Sequence, residues 1–145
     1  MLLGLHTRIL DTRNTLPLPA DFREPFKDGV YITQGFDRNL MVLTVSAFEE
    51  LYKRVMASNL ADPLARLLMR MLMGNAQEAE LDNDGGIPIH QHLKDFASLA
   101  QDVILVGLGD YLELWSPEQW NKQEEQLSNA EANHNRYSSL VITTR

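Results

Sequence analysis

Hydrophobic and polar positions alternate through this chain in short bursts, and the bursts come in one order, twice. "LHTRIL" and "QEAEL" each read as a strand, and in the second the alternation sets Ala79 and Leu81 on one face. Each is followed by a turn, "DTRNT" at Asp11–Thr15 and "DNDGG" at Asp82–Gly86. Asp and Asn tolerate left-handed backbone and Gly adopts it freely, so both are turn chemistry. "LPL" and "IPI" then predict a second strand, with the proline at an edge or wherever a missing N–H costs nothing. A short helix follows in each ("PADFREPF", "HQHLKDFA"), then a strand ("GVYITQG", "DVILVGL"), a turn holding Asp37 or Asp110, and another strand ("NLMVLT", "YLELWS"). Each half closes on a helix. The first is expected to start at Ser46 with Glu49 three residues on, and the second at Ser116 with Pro117 at the first helical position.

Between the halves, Asp62 caps and Pro63 opens a linker helix with an apolar stripe at Leu64, Leu67, Leu68, Met71 and Leu72, which Gly74 is expected to end. That stripe suits a core or a subunit interface. The stretch 128–145 is polar, shows no core-facing pattern and reads as a flexible tail, with "LVITT" a candidate edge strand.

The two halves align. At an offset of 71 residues, Leu10 meets Leu81, Asp11 meets Asp82, Leu16 meets Ile87, Pro17 meets Pro88, Phe22 meets Leu93 and Arg23 meets Lys94. The offset becomes 73 at Val30 and Val103, then 72 at Leu40 and Leu112, Thr44 and Ser116, and Phe48 and Trp120. Small shifts of this kind fit insertions in loops. A unit of about 45 residues is too small to hold a substantial core alone. The two copies must therefore pack on each other, as one α+β barrel with pseudo-two-fold symmetry. The pattern divides the chain into a first module at 1–58, a linker helix at 59–75, a second module at 76–127 and the tail at 128–145.

Composition narrows the function. With 44% hydrophobic residues the chain can bury a core, yet no apolar run approaches the ~20 residues of a membrane-spanning helix. The apolar N-terminus is too short for a signal sequence, which points to a cytoplasmic protein with no membrane partner. The absence of cysteine excludes disulfides and thiolate metal sites. A net charge of −7 argues against broad non-specific nucleic-acid binding but permits a local basic surface. No nucleophile, phosphate-loop or triad motif is present, so the chain does not read as an enzyme. His90 and His92 are two residues apart with no third ligand at ordinary spacing, so no metal or cofactor is expected.

Asp11 with "LPLPADFRE", the linker and its exit "ARLLMRMLMGNAQEAELD", and above all "VILVGLGDYLELWSPEQW" carry a resemblance. Over about Leu3–Glu125 the chain resembles the MraZ family, bacterial transcriptional regulators built of two tandem SpoVT–AbrB-type modules. The resemblance implies a double-split β-barrel of interleaved, swapped-hairpin modules and ring-shaped or similar homo-oligomers. It implies a nucleoid-associated repressor binding short direct repeats in DNA upstream of the division and cell-wall gene cluster. It also places the DNA contact in each turn, where the family writes Asp-x-x-Gly-Arg.

This chain departs from that motif. Asp11 and Asp82 are present and Gly85 keeps the glycine, but Asn14 replaces it in the first copy, and Thr15 and Gly86 stand where the arginines belong. Arginine is the side chain that grips guanine edges or phosphate bidentately. Arg13 is the best substitute, two residues before the missing one, against a plainer reading as a solvated turn arginine. Arg8, Arg23 and Lys94 are weaker candidates, the last two matched across the repeat so that each could contact phosphate in its own module. Asp84 adds negative charge to the second turn. A second reading follows: an oligomeric interaction or scaffold protein that kept the fold and lost operator recognition.

Overall fold

The computed structural model describes residues 1–142. The first half runs β1 (Leu2–Ile9), β2 (Thr15–Pro17), single 3-10 turns at Ala20–Phe22 and Glu24–Phe26, β3 (Val30–Gln34), β4 (Leu40–Thr44), α1 (Val45–Met56) and α2 (Pro63–Leu72). The second runs β5 (Gln77–Ala79), β6 (Gly86–Pro88), α3 (Gln91–Phe96), β7 (Asp102–Gly109), β8 (Tyr111–Trp115), α4 (Pro117–Leu127) and α5 (Ala130–Tyr137).

The predicted elements are present, with four differences. "PADFREPF" does not form one helix. Pro25 cannot donate the backbone hydrogen bond that a continuous helix would need there, so the segment breaks into two 3-10 turns. Helix α1 is capped by Thr44, not Ser46: the Thr44 hydroxyl accepts the Ala47 N–H at 3.1 Å. Its repeat counterpart Ser116 caps α4 in the same way, accepting from Gln119 N–H at 3.2 Å. Helix α2 starts and ends as expected, with Asp62 accepting the Leu64 N–H at 2.9 Å and Gly74 just past the C-cap Met73, whereas β5 covers only Gln77–Ala79 of the predicted "QEAEL".

The fourth difference is α5, in the polar stretch after Ser128. Asn129 caps it, and the buried Asn133 donates to the carbonyls of Gln126 (2.7 Å) and Leu127 (3.2 Å) at the C-terminal end of α4. The docking is polar, so no apolar stripe announces it. With α5 in place, the second half ends on two helices, as the first half does. The strand suggested in 140–144 lies partly outside the described residues, and 140–142 carry none.

Six strands form one sheet in the order β1-β7-β8-β4-β3-β5, and β2 pairs with β6 in a second sheet, every neighbour antiparallel. The halves exchange their first strands. β1 pairs with β7 of the second half, and β5 pairs with β3 of the first. The registers match across the repeat, with Arg8 opposite Val103 and Ala79 opposite Val30. Approximate two-fold symmetry passes between β4 and β8, where Leu40 faces Leu114 and Val42 faces Leu112, and between β2 and β6, where Leu16 faces Ile87.

The core is built from repeat partners: Leu16 with Ile87, Leu18 with Ile89, Phe22 with Leu93, Val30 with Val103 and Ile32 with Leu105, all buried in one cluster. Each buried aliphatic side chain contributes about 1.5–3 kcal/mol, and neither half could assemble this cluster without the other. Trp115 and Trp120 pack edge-on at 5.5 Å, joining β8 to α4. No helix among the described residues is long and apolar enough to cross a membrane.

Candidate nucleic-acid interface

The two turns are the same object built twice. In the first, the Asp11 carboxylate accepts the backbone N–H groups of Arg13 (2.8 Å) and Thr15 (2.9 Å). Asp11 N–H donates to Thr15 O at 3.0 Å, and Asn14 N–H to Asp11 O at 3.1 Å. In the second, the Asp82 carboxylate accepts from Asp84 (2.9 Å) and Gly86 (2.8 Å), with Asp82 N–H on Gly86 O at 2.9 Å and Gly85 N–H on Asp82 O at 3.1 Å. Each turn closes on a left-handed residue, Asn14 at φ +60° and Gly85 at φ +78°. Asn is among the few side chains that accept this conformation, so replacing glycine by Asn14 preserves the backbone. The Thr15 N–H bond is the foremost cause holding the Asp11 carboxyl below its usual range, helped by Arg13 through its N–H and its charge and opposed by desolvation.

Antiparallel pairing of β2 and β6 puts each turn beside the other half. Ile89 N–H donates to Asn14 O at 2.9 Å, and its counterpart Leu18 N–H donates to Gly85 O at 3.1 Å. The candidate cations follow the same exchange. Lys94 and Arg23 do not stand over the turns of their own modules, as the sequence suggested. The Lys94 ammonium donates to the Asn14 side-chain oxygen at 2.6 Å. Arg23 donates through Nε to Leu18 O at 3.1 Å and lies so close over Gly85 that a Cβ there would collide with its guanidinium.

Two side-by-side corners result, with unequal charge. The first joins the Asp11 turn to α3. Asn14 also donates to Gln91 Oε1 at 3.3 Å, and Gln91 donates to Asp95 at 2.8 Å. Arg13 extends from this turn with its side chain 82% exposed, only 4.0 Å from the Asp11 carboxylate. A cleft of about 270 Å³ opens between Asp11, Thr12, Asn14, Lys94 and Gln101. The second corner is covered. Gly85 and Gly86 are buried, while the side chains around them expose the acids Asp82 and Asp84. Arg8 sits apart from both, half-buried on β1 with its guanidinium folded onto Thr7 O at 2.8 Å.

Thr15 and Gly86, the positions where the resemblance leads one to expect arginine, meet each other. A Cβ on Gly86 would lie 2.6 Å from Cγ2 of Thr15. The Thr15 methyl fills the space that any side chain at Gly86 would need. Nothing in linear spacing reports this contact, nor the role of Gln91 as a prop for Asn14. Beyond the interleaving that the resemblance implies, the matched pair Arg23 and Lys94, read together with an antiparallel β2/β6 ribbon, is a clue to the exchange.

Comparison with known proteins identifies relatives. A family described as "MraZ protein, putative antitoxin-like" matches residues 72–139, from the end of α2 through α5. The chain is 35% identical over 145 residues to the transcriptional regulator MraZ of Roseiflexus castenholzii, covering all of this chain and 99% of that protein. It is 36% identical over 128 residues to the protein of that name from Thermomicrobium roseum, covering 88% of this chain and 90% of that one. It is 34% identical over 125 residues to that of Mycobacterium tuberculosis, covering 86% and 87%. With an antiparallel sheet shared by two repeated halves, and relatives at 34–36% identity covering 86–100% of the chain, one assignment follows: the chain belongs to the MraZ family.

Proposed function

We propose that this chain is a DNA-binding transcriptional regulator, not an enzyme. It would assemble as a ring-shaped or similar homo-oligomer and bind short direct repeats upstream of the division and cell-wall gene cluster. In this reading the six-stranded sheet and the β2/β6 ribbon form the two sides of a double-split β-barrel whose Asp11 and Asp82 turns face DNA. The observation that carries it is the duplication of one turn geometry, in a chain whose full-length relatives are named transcriptional regulators. A rigid turn fixed by a carboxylate on two N–H groups is a suitable mount for side chains that must reach a groove or a phosphate.

The test is a gel-shift titration with the protein's own upstream region. A retarded band is expected at micromolar protein and low salt, with affinity falling steeply as salt rises, because phosphate contacts release counterions. An oligomer by light scattering that retards no DNA under those conditions would overturn the regulator reading in favour of a scaffold.

A further inference from the structure

We infer that this chain meets DNA on one side only: the first corner, in which Lys94 of the second half is held beside the Asp11 turn, makes the phosphate contacts, and the second corner is a closed structural joint. The inference rests on the regulator reading above and adds which of two near-identical turns does the binding. Three observations carry it.

The first is charge. Around the first turn stand Arg13 and Lys94 against Asp11 and Asp95, a balanced set, whereas around the second Arg23 stands against Asp82 and Asp84. A polyanion approaching the second corner meets two exposed carboxylates, and the repulsion is strongest within the Debye length of about 8–10 Å. The second is access. Lys94 uses one of its three ammonium donors on Asn14, lines an open cleft and leaves two donors for an anion. Arg23 is the more exposed side chain, but its Nε is tied to Leu18 O and its guanidinium lies against the buried Gly85 instead of lining a cleft. The third is support. Lys94 is positioned by a run of polar side chains, Asp95 to Gln91 to Asn14, that begins and ends on α3 and crosses to the other half at Asn14. A long side chain held at one point loses less freedom on binding than a loose one. The cation that the first turn lacks at Thr15 is thus supplied across the repeat by Lys94.

The experiment is a fluorescence-anisotropy titration of full-length protein on a duplex of its own upstream region at several salt concentrations. It compares the parent with Lys94→Gln, Lys94→Arg, Arg13→Gln, Arg23→Gln and Asp84→Asn. Lys94→Gln and Arg13→Gln are each expected to weaken binding several-fold and to lower the salt slope by about 1 per DNA-contacting protomer. Lys94→Arg should keep the parent slope, which a merely structural role in the turn would not require. Arg23→Gln should leave the slope unchanged, and Asp84→Asn should tighten binding by less than about two-fold, as a distant charge does under screening. An equal fall in slope for Arg23→Gln and Lys94→Gln would overturn the one-sided reading, as would an unchanged slope for Lys94→Gln. If the parent binds no DNA, the regulator reading falls and this one with it. If the parent binds and the slopes come out equal, this inference alone fails.

Discussion

Lys94, on the helix of the second half, donates its ammonium to the side-chain oxygen of Asn14 in the turn of the first, at 2.6 Å. This bond joins residues 80 apart in sequence and ties one half's turn to the other half's helix. Asn14 serves two purposes there, holding φ at +60° and accepting from Lys94. The two can be separated. Asn14→Ala loses both and should cost about 2–3 kcal/mol in urea unfolding, since a left-handed Ala costs roughly 1–2 kcal/mol and the hydrogen bond contributes about 1 kcal/mol. Asn14→Gly keeps the backbone free to turn and should cost clearly less. Equal losses for the two variants would mean that the left-handed conformation contributes nothing.

Thr15 and Gly86 are coupled by contact, because a Cβ at Gly86 would meet the Thr15 methyl at 2.6 Å. Gly86→Ala should therefore destabilise the protein by about 1–3 kcal/mol, the range for overpacking a filled site. In a Thr15→Ser background, with the methyl gone, the same change should cost less. A double-mutant cycle is expected to show a coupling of at least about 0.5 kcal/mol. Additive effects would show that the contact is relieved by simple rotation of Thr15.

Glu113 gives the fold a pH dependence. It lies on β8 between Val106 and Met41, and its carboxylate accepts the Trp115 indole N–H at 3.1 Å. Burial is the main cause that raises its pKa above the ordinary 4.5, with the charge of Asp37 adding to it and the Trp115 bond and the nearby Asn39 amide opposing. A carboxyl with a raised folded pKa favours the fold while protonated. Its contribution is fully present below pH 4.5 and is lost as pH rises through the higher folded value. Glu113→Gln keeps an acceptor for Trp115 without the charge. It should raise the melting temperature at pH 7, with the gain shrinking toward zero near pH 4 in thermal scans. A gain that persists unchanged at pH 4 would assign the effect to packing.

The alternation of apolar and polar residues, the doubled Asp turns and the caps at Asp62 and Ser116 were enough to place, among the described residues, every strand and four of the five α-helices. All of these act over a few residues, where backbone preference and a nearby side chain decide the outcome. The pairing of Leu16 with Ile87 in one apolar pattern likewise told that two halves share a core. What the chain could not announce was how those halves exchange. β1 joins β7 instead of β3, and Lys94 and Arg23 reach across to the opposite turns. Helix α5 docks through Asn133 and not through an apolar stripe. Thr15 and Gly86, where the resemblance leads one to expect arginine, read as independent positions along the chain, yet they occupy one shared space. Local sequence determines conformation through neighbours along the backbone. Contacts between residues 70 to 80 positions apart depend on which surfaces can be buried together, and only the assembled sheet and ribbon settle that.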